Sequence, residues 1–158
     1  MTYKLKRTQV IDKPREEVFA FFKQPENLEK ITPSQVGFQI LTPKPIKMQS
    51  GAVLDYTIQL LWFKLRWTTL ITNYQEPELF SDVALKSPYS FWYHTHTFIE
   101  KDNSTIMHDE VLYMLPFGIL GKIVHKLFVK KQLKQIFDHR AEVIAEIFQQ
   151  PTKITTTV

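Results

Sequence analysis

This sequence predicts an α+β fold: a curved antiparallel sheet of about seven strands wrapped around a long C-terminal helix, with two short helices after strand 1. Three observations carry that prediction. Between Gly51 and Tyr113, apolar and polar residues alternate in successive runs, the period of half-buried strands. From Ile119 to Gln149 there is no proline, and apolar residues recur three and four apart, as in an amphipathic helix. Before Gly51, Pro14, Pro25 and Pro33 punctuate short apolar clusters that suit only brief helices.

Tyr3 to Ile11 reads as the first strand, because Tyr3 and Leu5 alternate with Lys4 and Lys6. Pro14 suits the first turn of a helix, and Glu16 and Glu17 favour its positive end. Val18, Phe19, Phe21 and Phe22 supply its apolar side, and Pro25 ends it. A second short helix over 27–32 is stopped by Pro33, and Val36 to Leu41 is strand-like. Leu54, Tyr56, Ile58 and Leu60 form one half-buried strand, and after a turn near 61–64 Leu65, Trp67, Thr69 and Ile71 form the next. Phe80 to Lys86 follows, then a hairpin from Ser90 to Tyr113. Pro151 ends the long helix, so residues 1–150 form one domain and 151–158 a flexible tail.

The hairpin carries the most informative residues. Trp92, His94, His96 and Phe98 share one face of a strand that breaks at Lys101-Asp102-Asn103-Ser104. A turn centred on Asp102-Asn103 sets His96 opposite Asp109, Phe98 opposite Met107, His94 opposite Val111 and Trp92 opposite Tyr113. A polar pair framed by aromatics resembles the floor of a pocket. A sheet curled about one helix buries both without filling the space between them, which leaves a cavity. Its expected lining is Tyr56, Trp67, Trp92, His94, His96, Phe98, Met107, Asp109, Val111 and Tyr113, with Val124 and Phe128 of the helix.

Composition narrows the chemistry. The 158 residues include 12 Phe, 6 Tyr and 3 Trp, more rings than an ordinary core needs, and no Cys, which excludes disulfides and thiolate chemistry. No dinucleotide fingerprint, nucleophile motif, zinc-finger spacing or RNA-binding aromatic motif occurs, so kinase, dehydrogenase, hydrolase and nucleic-acid readings lack support. There is neither a signal-peptide pattern nor a run of about 20 apolar residues, so a cytoplasmic location is expected. The net charge of +4 is mild but concentrated: Lys122, Lys126, Lys130 and Lys134 repeat every four residues, with Lys131 beside them. Such a stripe is either a solvated face or a docking surface for an anionic membrane or an acidic protein.

The chain resembles the START-like superfamily, also called Bet v 1-like or polyketide cyclase/dehydrase and lipid transport, and within it the small bacterial ligand-binding branch. The resemblance rests on Asn27-Leu28, Ile31-Thr32-Pro33, Tyr56, Trp67, Ile71, Pro77, Phe80, Asp82, Pro88-Tyr89, Trp92, His94, His96 and Phe98. It continues through Met107, Asp109, Val111, Tyr113, Leu115-Pro116 and Gly118. Gln and Gly are common in that branch where this chain has Ala84 and Ser87. The resemblance implies a helix-grip fold that holds a hydrophobic molecule such as a lipid, quinone or polyketide, with no cofactor.

Two functions follow. Binding or carriage of a small hydrophobic ligand leads, with His96 and Asp109 satisfying each other or orienting the ligand. The alternative is a cyclase or dehydratase in which His96 exchanges a proton and Asp109 fixes its tautomer. A facial triad of His94, His96 and Asp109 around iron is set aside, because His94 faces Val111.

Overall fold

The structure, a computed structural model, describes residues 1–60, 63–151 and 154–157. Strand β1 (Tyr3–Ile11) leads into α1 (Arg15–Phe22) and two 3-10 turns, Pro25–Leu28 and Ser34–Val36. Then come β2 (Gln39–Ile40), β3 (Val53–Leu60), β4 (Phe63–Gln75), β5 (Leu79–Lys86), β6 (Phe91–Lys101) and β7 (Ser104–Met114). Helix α2 (Gly118–Val124) passes through a π-helical stretch (His125–Val129) into α3 (Lys130–Ile147), and β8 (Ile154–Thr157) closes the order. The sheet runs β2-β3-β4-β5-β6-β7-β1-β8 with antiparallel neighbours. This is the α+β architecture that the alternation predicts.

The β6–β7 hairpin has the expected register, with His96 opposite Asp109 and Phe98 opposite Met107. Asp102 and Asn103 both take positive φ, 52° and 61°, which is the conformation a two-residue hairpin turn demands. Register shifts in β4, between Thr68 and Thr69 and between Ile71 and Asn73, mark bulges against β5. Bulges of this kind bend a strand and so help the sheet to curl.

Two apolar clusters anchor the layers. At one end α1 presses Phe19 edge-on against Phe98, with ring centroids 5.2 Å apart, beside Phe80, Met107 and Ile144. At the other, Leu5, Trp67, Trp92, Val111 and Tyr113 meet Leu133 and Phe137 of α3.

Two expectations need correction, and a third lies partly outside the described residues. The second short helix is only the 3-10 turn Pro25–Leu28, because Pro25 and Pro33 confine it. Residues 154–157 do not trail away as a flexible tail but pair with β1 from Gln9 to Lys6. The predicted turn near 61–64 includes Leu61 and Trp62, which lie outside the described residues, and Lys64 already belongs to β4.

The long helix also differs from a single packed face. α3 buries Leu133, Phe137, Arg140, Ala141, Ile144 and Ala145, but α2 and the π-helical stretch bury only Gly121 and His125. Leu120, Leu127 and Phe128 are 60%, 59% and 65% exposed. A Cβ at Gly121 would run into the Pro116 carbonyl oxygen, so this small residue sets the close approach. The wider turn of the π stretch then changes the angular phase between the two halves. The lysines therefore interleave with exposed apolar side chains instead of lying across from a buried face, and Lys134 pairs with Asp138 at 2.7 Å.

Candidate functional site

A cavity of about 470 Å³ lies between the sheet and the C-terminal helix. Strands β3, β4, β5 and β6 supply one wall, the segment from Phe22 to Phe38 covers an edge, and Leu120 to Arg140 close the other side. Of the residues predicted to line it, Tyr56, Trp67, Trp92, His94, His96 and Val124 do so.

The others fall elsewhere for physical reasons. Phe98 and Met107 share the same sheet face but are sealed under α1. Val111 and Tyr113 are buried beneath α3 and the π stretch, where the Tyr113 hydroxyl meets His125 Nε2 at 2.8 Å. Phe128 points to solvent, and Asp109 lies behind the two histidines.

The wall is more apolar than its residue names suggest. Trp67 Nε1 donates to Thr69 Oγ1 at 3.1 Å, and the Tyr56 hydroxyl lies 3.2 Å from the same oxygen. One threonine thus satisfies two buried polar groups that would otherwise seek a ligand. Burial raises the Tyr56 phenol far above its ordinary value, so it stays neutral.

Polarity gathers at one end. The β5–β6 register sets Asp82 beside His94 and Phe80 beside His96, and Phe80 stacks on the His96 ring at 4.2 Å. His94 Nε2 donates to Asp109 Oδ1 at 3.2 Å, whereas His96 Nδ1 approaches that oxygen at 2.6 Å but too bent for a hydrogen bond. The opposite nitrogens, His94 Nδ1 and His96 Nε2, lie 4.0 and 3.9 Å from Asp82 Oδ2. The two imidazoles are sandwiched between carboxylates, 3.8 Å apart centroid to centroid.

Burial, aided by His94, pushes the His96 imidazole down to about 3, so it is neutral near pH 7. Burial raises the Asp82 carboxyl to about 6, against the pull of His94 and Arg140. Burial would lift Asp109 as well, but Arg140 and the two imidazoles hold it well below the usual carboxylate range. Arg140 itself is 8% exposed, with Nε and Nη2 lacking a hydrogen-bond partner among the described residues, and it stands over the Phe22 and Phe137 rings at 5.5 and 5.9 Å.

Asp82 and Arg140 are therefore the site residues that the sequence prediction omits. Each had a signal. Asp82 takes an inward position two residues from Phe80, and Arg140 interrupts the apolar row Leu133, Phe137, Ile144. A charge on a core-facing row points to a partner or a ligand.

No family model matches the chain, and no curated protein matches it in sequence. Solved structures do. A Thermus thermophilus protein superposes with a TM-score of 0.74 at 15% identity, covering 93% of this chain and 97% of the other. A START superfamily protein from Mycobacterium smegmatis gives 0.69 at 13% identity, covering 93% and 98%. Norcoclaurine synthase from Thalictrum flavum, in complex with dopamine and hydroxybenzaldehyde, gives 0.66 at 13%, covering 97% and 90%. The chain has the START-like, helix-grip fold. Among the described residues, no helix is long and apolar enough to cross a membrane.

Proposed function

We propose that this START-like chain binds and carries a small, mostly apolar molecule with one polar end. The observation that carries the reading is the cavity itself: about 470 Å³, walled mainly by rings and aliphatic side chains, with its carboxylate, imidazole and guanidinium groups limited to Asp82, His94, His96 and Arg140. Pockets of about 300–1,000 Å³ with few convergent polar groups suit small ligands. Affinity comes from apolar surface removed from water, roughly 25 cal/mol per Å² before association costs. The unpartnered Arg140 nitrogens favour a carbonyl, phenolate or carboxylate at the buried end.

The rim supports exchange with a lipid surface. Phe117 and Leu120 line the cavity and are 79% and 60% exposed, and Ile119, Ile123, Leu127 and Phe128 continue the apolar patch. Lys122, Lys126, Lys130 and Lys131 stand among them, a combination suited to an anionic bilayer.

Native mass spectrometry of freshly purified protein tests the carrier reading. The expected result is a bound species that dissociates as a small apolar molecule. A bare chain that also fails to take up a fluorescent apolar probe overturns it.

A cyclase or dehydratase reading is favoured by one observation, the contact between His96 and Asp109 beside the cavity. With a ligand in hand, His96→Gln separates the two. Lost turnover at retained affinity marks an enzyme; altered affinity, with no turnover in the parent, marks a carrier.

A further inference from the structure

We propose that Asp82, His94 and His96 form a site for one divalent transition-metal ion, with its remaining coordination positions open to the cavity. The inference goes beyond ligand carriage and does not depend on it.

The geometry begins with tautomers. Asp109 accepts from His94 Nε2, and its carboxylate oxygen also lies 2.6 Å from His96 Nδ1, where a proton-bearing nitrogen is favoured over a lone pair facing a negative charge. In neutral rings the other two, His94 Nδ1 and His96 Nε2, then present lone pairs. Both point toward Asp82 Oδ2, at 4.0 and 3.9 Å. Three acceptors thus converge on one point, and Asp82 has no hydrogen-bond donor among the described residues. The separations are too long for direct hydrogen bonds. They leave room for an atom that accepts electron pairs from all three.

The ligand atoms lie within 4.8 Å of one another. Ligands about 2.0–2.2 Å from one ion sit about 3.0–3.4 Å apart, so the three side chains must draw together by about 1 Å to complete the set. Two imidazoles and one carboxylate on one side of an ion match Fe²⁺, Zn²⁺, Co²⁺ or Mn²⁺ better than Ca²⁺ or Mg²⁺, which prefer all-oxygen shells.

Asp109 supplies the feature that distinguishes such a site from a chance cluster. Metal-bound histidines generally give their second nitrogen to a carboxylate, which fixes the ring and strengthens it as a ligand. Here one buried carboxylate is hydrogen-bonded to the His94 ring and in close contact with the His96 ring. The Arg140 charge acts on both Asp109 and Asp82, so the two carboxylates together outweigh the one guanidinium beside the candidate ion. Asp82, His94 and His96 all reach the cavity wall, so an exchangeable water or a ligand atom has access to the ion.

The test uses the whole chain, stripped with a chelator and titrated with Co²⁺. One equivalent should bind, with visible d–d absorption. Asp82→Asn and His96→Gln should each remove that signal, and Asp109→Asn should weaken binding by about 10–100-fold, with far-UV circular dichroism checking that each variant folds. Imidazole resonances of the unmodified chain give a reading independent of any variant. Selective broadening or shifting of His94 and His96 supports the site. Binding that perturbs only His108 or His139, or that survives Asp82→Asn and His96→Gln in folded protein, overturns it. So does the absence of any bound Co²⁺. Because the probe is the metal alone, that failure leaves the apolar-ligand reading untouched.

Discussion

Arg7 of β1 reaches Asp138 of α3 at 2.6 Å, and this pair fastens the long helix to the sheet near its β1–β8 end. The Arg7 side chain is 3% exposed, and its Nη2 also lies 3.3 Å from the Lys134 carbonyl. Its Nε and Nη1 have no hydrogen-bond partner among the described residues, so the guanidinium depends on Asp138 for its charge balance.

Asp138→Asn should cost about 2–3 kcal/mol, below the usual penalty for a fully buried pair because Asp138 is partly exposed. Urea unfolding of the two proteins at pH 7 measures it.

The same pair sets an acid limit. Burial would raise the Asp138 carboxyl, but hydrogen bonds from Lys134 and Arg7 and the charge of Arg7 hold it below its ordinary value. A carboxyl whose folded pKa is depressed stabilises the fold above its unfolded value, near 4, and loses that contribution as pH falls through the folded value. The stability gap between parent and Asp138→Asn should therefore be full at pH 6–7 and shrink below about pH 4. Paired unfolding curves from pH 7 to 3 check the sign.

Gly121→Ala should destabilise the start of the helix by about 1–3 kcal/mol, because the new methyl meets the Pro116 carbonyl. Gly121 lines the cavity, so uptake of an apolar fluorescent probe should change along with the melting temperature.

Asn103→Gly should raise stability by about 0.5 kcal/mol, since Asn103 holds φ at 61° in the β6–β7 turn and glycine meets no steric cost there. Thermal melts of the two proteins suffice to detect it.

Replacing Lys122, Lys126 and Lys130 together by Gln should weaken binding to vesicles rich in anionic lipid by about a hundredfold, taking about 1 kcal/mol per basic residue. Co-sedimentation at low and high salt measures it. Binding unchanged by both the substitutions and salt would leave the lysines as a merely solvated face.

How much of this was legible in the sequence depends on the distance over which each element is decided. The His96–Asp109 pairing was legible because a two-residue turn and strict alternation fix the hairpin within 24 residues, Ser90 to Tyr113. For Asp82 only the inward position was legible; its place facing the histidines was not, because that depends on pairing between β5 and β6 through the 87–90 connection and on bulges in β4. The outward turn of Leu127 and Phe128 was hidden for a different reason. Their spacing fits a packed helix, and only the π stretch and the Gly121–Pro116 approach decide which way the stripe faces. Residues 154–157 carry too few apolar side chains to signal a strand, yet backbone pairing with the free edge of β1 needs none.

Thr69 has a consequence for selectivity. By occupying both the indole N–H and the phenol of its neighbours, it withdraws two polar contacts that the flank of the hollow could otherwise offer a visitor. Discrimination by charge falls to the far tip, where the imidazoles and the guanidinium stand. Homologues that differ only in tail length should therefore compete on nearly equal terms, whereas exchanging the head group should reorder them.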